Sequence, residues 1–474
     1  MMSKNVLTQL NKIPLPNSLK RSIVRNEDRG KVVCIILVTT LLTIMPVGYH
    51  MVVLNVPAAV IQRSINESLY NTFGAALSSG SSALLWLVSV RSIIVSCQSI
   101  GALLGCVMVT PILNRCGVKS ALMLFNNIIL IAPKQIKGSL SCFLHIAVCF
   151  GSAIGAILSL DFMLGGESTW GYLLLAPGIL SVLLIVAAFM IPETPNFYLQ
   201  NGSYIQAIQS IDFYYGISYD DDDEAIREYW DMVPEMPSQI CFSEAVMNPT
   251  ILKGIFLGMI VSASQIFSGS MASVSYSTSM FSAVSFDESF IPFLPALGAL
   301  VSIALTLPAL RLVETTTRRS LLLSTLLLCL FADCLLLLFS LLSMDEWWAS
   351  WLYLISFFIY GIGYNLGTGP VAYFIPAELV PAEAASVSLG AAVAVNWISS
   401  MVTTLLYYPL NESVQGWSYL IFIIPTSLFL IILFFFLPET RFHYRSDTID
   451  SRLLADLGQP SPYGTFEDDE IDLF

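Results

Sequence analysis

The sequence predicts an all-α fold, a polytopic bundle of membrane-spanning helices. Three observations carry that reading. Of 474 residues, 55% are hydrophobic and only 12% are charged, too little charge to cover a soluble domain of this length. The apolar residues gather in long runs, and a run of 18 or more uncharged residues reads as a membrane span. The gaps between runs alternate between basic and acidic, the pattern of a chain threading back and forth through a bilayer.

Spanning runs lie near Val32–Asn55, Ala83–Val109, Ser139–Leu160 and Tyr172–Ile191. They resume near Leu252–Ser275, Phe290–Leu310, Leu321–Leu342, Trp351–Ile375, Ser386–Tyr408 and Ser418–Leu437. The first run starts too late and is too long for a cleaved signal peptide, so it is read as the first span. The polar gap Pro192–Ser243 separates four spans from six, and Ile205, Ile208 and Ile211 within it suggest short amphipathic helices on the membrane surface. The resulting division is a cytoplasmic segment 1–31, a bundle 32–191, a central loop 192–250, a second bundle 251–437 and an acidic tail 438–474.

Orientation follows from the basic residues. Lys4, Lys12, Lys20, Arg21, Arg25, Arg29 and Lys31 precede the first span, Arg115 and Lys119 follow the second, and Arg311, Arg318 and Arg319 follow the sixth. Arg441 and Arg445 follow the last. Both termini are therefore expected in the cytoplasm of a multi-pass protein, with the plasma membrane the expected location. Asn66-Glu67-Ser68 falls in the first outside loop as a glycosylation acceptor. The run Ser120–Pro133 is only 14 residues long, about 21 Å as a helix against a hydrocarbon core of about 30 Å. Basic clusters flank both its ends, so it reads as re-entrant or interfacial.

Other classes find little support. The net charge of −13 comes mostly from Asp220–Glu224 and Glu467–Asp472, which read as solvated segments. No basic stripe points to nucleic acid. The nine cysteines show no Cys-x-x-Cys pair and read as small buried residues, not as metal ligands or a disulfide framework. No nucleophile–base pair or phosphate loop stands out, so neither an enzyme nor a cofactor is expected.

Several short strings narrow the reading. Gly48–Pro57 is GYHMVVLNVP, Asn114–Lys119 is NRCGVK, Pro133–Gly138 is PKQIKG and Ile191–Leu199 is IPETPNFYL. Gln265–Phe281 is QIFSGSMASVSYSTSMF, Glu314–Arg319 is ETTTRR and Gly369–Leu379 is GPVAYFIPAEL. Asn396-Trp397 and Leu437–Arg441, LPETR, complete the set. Each is weak alone. In this order, from residue 48 to 441, they resemble the sugar porters of the major facilitator superfamily, in the animal facilitative glucose transporter-like branch. The loop strings recur between the halves, as parallel repeats require.

That resemblance implies a small-molecule substrate, a hexose or similar polyol, bound at the bilayer midplane between two halves, with the lipid bilayer the other partner. Carboxamides suit hydroxyl groups because an amide both donates and accepts. Gln265, Asn396 and Trp397 keep family residues, while His145, Tyr373 and His50 stand where the family has glutamine, tryptophan and asparagine. Arg115, Glu193, Glu314, Arg318, Arg319, Glu378, Glu439 and Arg441 match charges that pair across the halves when the inner gate shuts; interfacial charge that only sets topology reads equally well. Pro370 and Pro376, with four nearby glycines, break helix regularity in the eighth clear span, where glycines also serve close helix packing. A histidine within a span is either a cavity ligand or a neutral ring bonded to backbone. Arg91 and Asp333, also inside spans, snorkel, pair or face the bundle interior.

The chain departs from the family in one large respect. The gap between Asn114 and Pro133 is about forty residues too short, close to two spans of ~20 residues. The family's third and fourth helices are thus mostly missing, which a skipped exon or a faulty gene model explains more simply than a ten-helix porter. The expected function is facilitative transport by alternating access. A proton-coupled porter using His50, a non-transporting isoform acting as sensor, scaffold or dominant negative, and a product that misfolds and is degraded remain alternatives.

Overall fold

The computed structural model describes residues 38, 41–73, 91–106, 137–189, 192–200, 203–215, 240, 242–284, 286–343, 346–381 and 383–440. The short apolar run 120–133, the acidic loop, Arg115 and Arg441 lie outside them. Lipid offers no partner to a backbone amide, so a spanning segment must close its own hydrogen bonds. Among the described residues every regular element is accordingly a helix.

The N-terminal half contains α1 (Leu41–Val52) and α3 (Arg91–Cys106), with α2 (Ala58–Phe73) between them. Then come α4 (Lys137–Leu158) and α5 (Ala176–Phe189). Pro57 disfavours helix at the residue before it, and α2 starts just beyond. Asn66 therefore lies within a helix, not in the loop the sequence suggests. Between the halves, the helix Tyr204–Tyr215 buries Ala207, Ser210 and Ile211 and exposes Ile205.

The C-terminal half begins with α6 (Pro249–Gln265). The Asn248 side chain accepts from the Thr250 amide at 3.1 Å and proline takes the first helical position, a combination that fixes a helix start. The helix breaks over Ile266–Ser270 and continues as α7 (Met271–Ser282). Next come α8 (Leu294–Thr315), α9 (Arg318–Leu342) and α10 (Trp347–Gly363). The span containing α10 breaks over Tyr364–Thr368, ahead of Gly369-Pro370, as the glycine and proline content predicts. The helical run Ala385–Phe436 covers 52 residues. Straight, it would reach about 78 Å, far beyond one bilayer. It folds back instead at Gln415, where φ is 50°, giving α11 (Ala385–Val414) and α12 (Leu420–Phe436).

Packing differs between the halves. In the N-terminal half α1 crosses α4 in backbone contact. A Cβ on Gly48 would fall 2.0 Å from the Val148 carbonyl oxygen, and one on Gly151 2.0 Å from that of Met45. Small residues permit such a crossing where there is no hydrophobic drive between helices. The C-terminal half is built on buried aromatic rings, among them Tyr276, Phe281, Tyr353, Tyr407, Tyr419 and Phe422.

The halves meet along three lines. Asn55, fully buried at the end of α1, donates to the Val274 carbonyl at 3.0 Å and to Ser277 Oγ at 2.7 Å. Its Oδ1 accepts from the Thr278 amide at 3.2 Å and hydroxyl at 2.7 Å. On α3, Ser96 and Ser99 bond Thr404 and Ser400 of α11, each at 2.9 Å. The helix α4 runs along α8.

Candidate functional site

Where the string Gln265–Phe281 begins, α6 ends at a buried amide. Gln265 is 2% exposed, and its Nε2 donates to the Gly369 carbonyl at 2.9 Å. Gly369 follows the break in the span that begins with α10, so one broken span is tied to the other. Gln265 Oε1 accepts from Asn396 Nδ2 of α11 at 2.8 Å. Tyr364 and Tyr373 bring their hydroxyls to the same amide. Trp397 follows Asn396 and is half-buried.

From the other half, α4 contributes His145. Its Nε2 donates to Asn365 Oδ1 at 3.0 Å, across the junction between the halves. Asn365 Nδ2 in turn donates to Ser302 Oγ at 3.0 Å and to the Gly361 carbonyl at 2.8 Å. The imidazole lies 5.7 Å from the Tyr364 ring and 6.3 Å from the Tyr373 ring, centroid to centroid. Its Nδ1 is buried without a hydrogen-bond partner. A buried acceptor left open is costly unless water or a ligand fills it. The structure thus gathers Gln265, Asn396, His145 and Tyr373 around two residues the sequence reading passed over, Tyr364 and Asn365. The one signal for Asn365 was a carboxamide inside an apolar run.

His50 stands apart from this network. With Met51, Leu54, Val95, Gln98, Leu174 and Ser275 it lines a cavity of about 270 Å³. Among the described residues Arg91 meets no carboxylate. It donates to Ser279 Oγ at 2.9 Å and lies 4.2 Å from the centroid of the Tyr408 ring, a cation–π contact between the halves.

Most of the described charges of the gating set sit within the C-terminal half. Glu439 accepts from the backbone amides of Arg318 and Arg319, at 2.9 and 3.0 Å, and so caps the positive end of α9. Arg318 Nε lies 3.6 Å from Glu378 Oε2, which also accepts from the Thr440 hydroxyl at 2.6 Å. Arg319 donates to the Phe434 carbonyl at 2.6 Å. Glu314 is exposed at the end of α8. Glu193, in the N-terminal half, is buried and accepts from the Thr194 amide at 3.0 Å.

The chemistry available is that of a neutral polar ligand. Amides, phenols and an imidazole present donors and acceptors without net charge, as several hydroxyl groups require. Cys149 Sγ lies 3.8 Å from His145 Nε2. That nitrogen carries the proton given to Asn365, so it cannot act as the base of a thiol nucleophile. Among the described residues no cluster of metal-binding side chains forms.

Comparison with known proteins places this geometry. The family model described as sugar (and other) transporter matches residues 33–132 and 128–446. The chain is 25% identical over 445 residues to mouse solute carrier family 2, facilitated glucose transporter member 3, covering 83% of this chain and 87% of the relative. The human facilitated glucose transporter member 5 is 23% identical over 438 residues, with 83% and 86% covered. Among solved structures, the proton:xylose symporter XylE bound to 6-bromo-6-deoxy-D-glucose superposes with a TM-score of 0.64 at 17% identity. That superposition spans 87% of this chain and 97% of XylE, and at such identity it is a likeness of fold.

Proposed function

The chain belongs to the sugar transporter family, and from that premise we propose that it carries a hexose or closely similar polyol across a membrane by alternating access. The observation that carries the proposal is the junction of Gln265, Asn396 and His145. It joins both halves and both broken spans, and it leaves one acceptor, His145 Nδ1, unfilled. Broken spans at the interface of two repeats are where transporters of this architecture hold their cargo. A sugar hydroxyl donating to Nδ1 and accepting from the carboxamides would bind the halves through the ligand. Releasing it requires the Gln265–Gly369 and His145–Asn365 bonds to rearrange, which couples substrate to conformation.

Transport is downhill in this reading. Proton coupling is the second reading, favoured by His50 on the wall of the cavity beside α1 and α3. The charge pattern supports both termini in the cytoplasm, and the plasma membrane is the membrane proposed. Labelled glucose and fructose uptake in cells tests the proposal. Saturable uptake that falls at least tenfold in Gln265→Ala, at equal surface expression, is expected. Surface-expressed protein without saturable uptake of either sugar contradicts it and leaves a non-transporting isoform.

A further inference from the structure

Asp333 has no role in the site described so far. It lies within the spanning helix α9, only 2% exposed, and its Oδ2 has no hydrogen-bond partner. Its other oxygen rests against the break between α6 and α7. A Cβ built on Gly269 would stand 3.6 Å from Asp333 Oδ1, and the Phe422 ring closes the same gap. Gly269 has φ of 94°, a conformation only glycine adopts without strain. The break and the acid are therefore one packing unit.

The groups facing Asp333 come from each element around it. Cys329 and Cys334 lie on its own helix, Tyr353 and Tyr360 on α10 and Tyr407 on α11. Tyr419, in the turn before α12, bonds Tyr353. The break Ile266–Ser270 supplies no ionisable side chain. None of these groups is a cation. An unpaired carboxylate in such a place is expensive, and an apolar residue would be cheaper to bury. A single carboxyl without further carboxylates suits a proton better than a metal ion. From Tyr360, one of these groups, polar contacts lead to the proposed sugar site. Tyr360 Oη lies 3.5 Å from Ser268 Oγ, which donates to the Gln265 carbonyl at 2.7 Å. The Tyr360 ring stacks on Tyr364, centroids 6.2 Å apart.

We propose that Asp333 is a proton-binding site that switches the broken span formed by α6 and α7. With the proton on, the neutral carboxyl holds the packing against Gly269. When the proton leaves to water that reaches the break, the carboxylate draws further water in and the packing opens. Sugar exchange then falls as pH rises through the titration of Asp333. Only this last step rests on the sugar-transport reading.

Infrared difference spectroscopy of the full chain in nanodiscs, between acid and alkaline pH, tests the proton site without any sugar. A protonated-carboxyl stretch that titrates away is expected. It should be absent in Asp333→Asn and shifted, not lost, in Asp333→Glu. A band unchanged in both variants, or no titrating carboxyl at all, overturns the proposal. Equilibrium glucose exchange in proteoliposomes at symmetric pH tests the switch. A several-fold fall with rising pH is expected in the wild type and in His50→Ala, and a flat profile in Asp333→Asn. A wild-type profile in Asp333→Asn overturns the switch. Absence of exchange in every variant overturns the sugar reading and leaves the infrared result to decide the proton site.

Discussion

Among the described residues, the C-terminal half packs on aromatic rings, whereas the N-terminal half packs on a backbone crossing and a smaller apolar cluster. In the former, rings from α7, α10, α11 and α12 form one buried cluster. In the latter, α1 and α4 cross at glycines, Tyr49, Val53 and Leu173 are buried together, and the Tyr49 hydroxyl donates to the Leu173 carbonyl at 2.8 Å. The N-terminal half also bonds outward: through Asn55 just beyond α1, through Ser96 and Ser99 on α3, and through His145 on α4. Among the described residues, the N-terminal half is held to its partner by polar contacts. In a transporter those same contacts must exchange during the cycle, so stability and mechanism draw on one set of residues.

That contrast can be broken most severely at the glycine crossing. Gly48→Val forces a branched side chain into backbone 2.0 Å away. Overpacking of this kind costs about 1–3 kcal/mol or more, and loss of monodisperse protein in fluorescence-detected size exclusion is expected. Gly178→Ala, in the same half with open space around its Cβ position, should run as wild type. Equal behaviour of the two variants would mean that α1 and α4 do not cross as described.

The next largest effect falls on Asn55. Truncation to alanine strands Ser277 and Thr278 groups that it now satisfies, at about 1–3 kcal/mol for a buried group left unpaired. A lower melting temperature, with faster labelling of a cysteine placed at Ser279, sharpens the view that Asn55 latches the halves. Ser99→Ala should do least. A hydroxyl pair between membrane helices is worth about 0.6 kcal/mol, so a shift near the resolution of a thermal-stability assay is expected. A Ser99→Ala effect as large as that of Asn55→Ala would move the latch from α1 to α3.

Much of this was legible in the residues, and the gaps have physical causes. Apolar runs and alternating charge located the spans, because lipid imposes length and hydropathy directly. Pro370 and Pro376 announced the break after α10. The break at Gly269 was not foreseen. Its sequence is serine, glycine, serine inside an apolar stretch, and a left-handed glycine leaves no periodic trace. Gln265, Asn396, His145 and Tyr373 were reached by resemblance, and their convergence depends on which helices meet. His50 was grouped with them and lines a cavity apart from their hydrogen bonds, since position along a span does not fix the face it turns to. Asn55 stood within a family-like string without a role, because its partners lie more than two hundred residues away.

The central claim is that one sugar site draws on both halves. Equilibrium binding of labelled glucose to the purified chain, measured by scintillation proximity, tests it most directly. The account predicts saturable binding, competed by unlabelled sugar, that falls at least tenfold in His145→Ala from the N-terminal half and in Asn396→Ala from the C-terminal half. Binding that survives both substitutions in folded protein would contradict it.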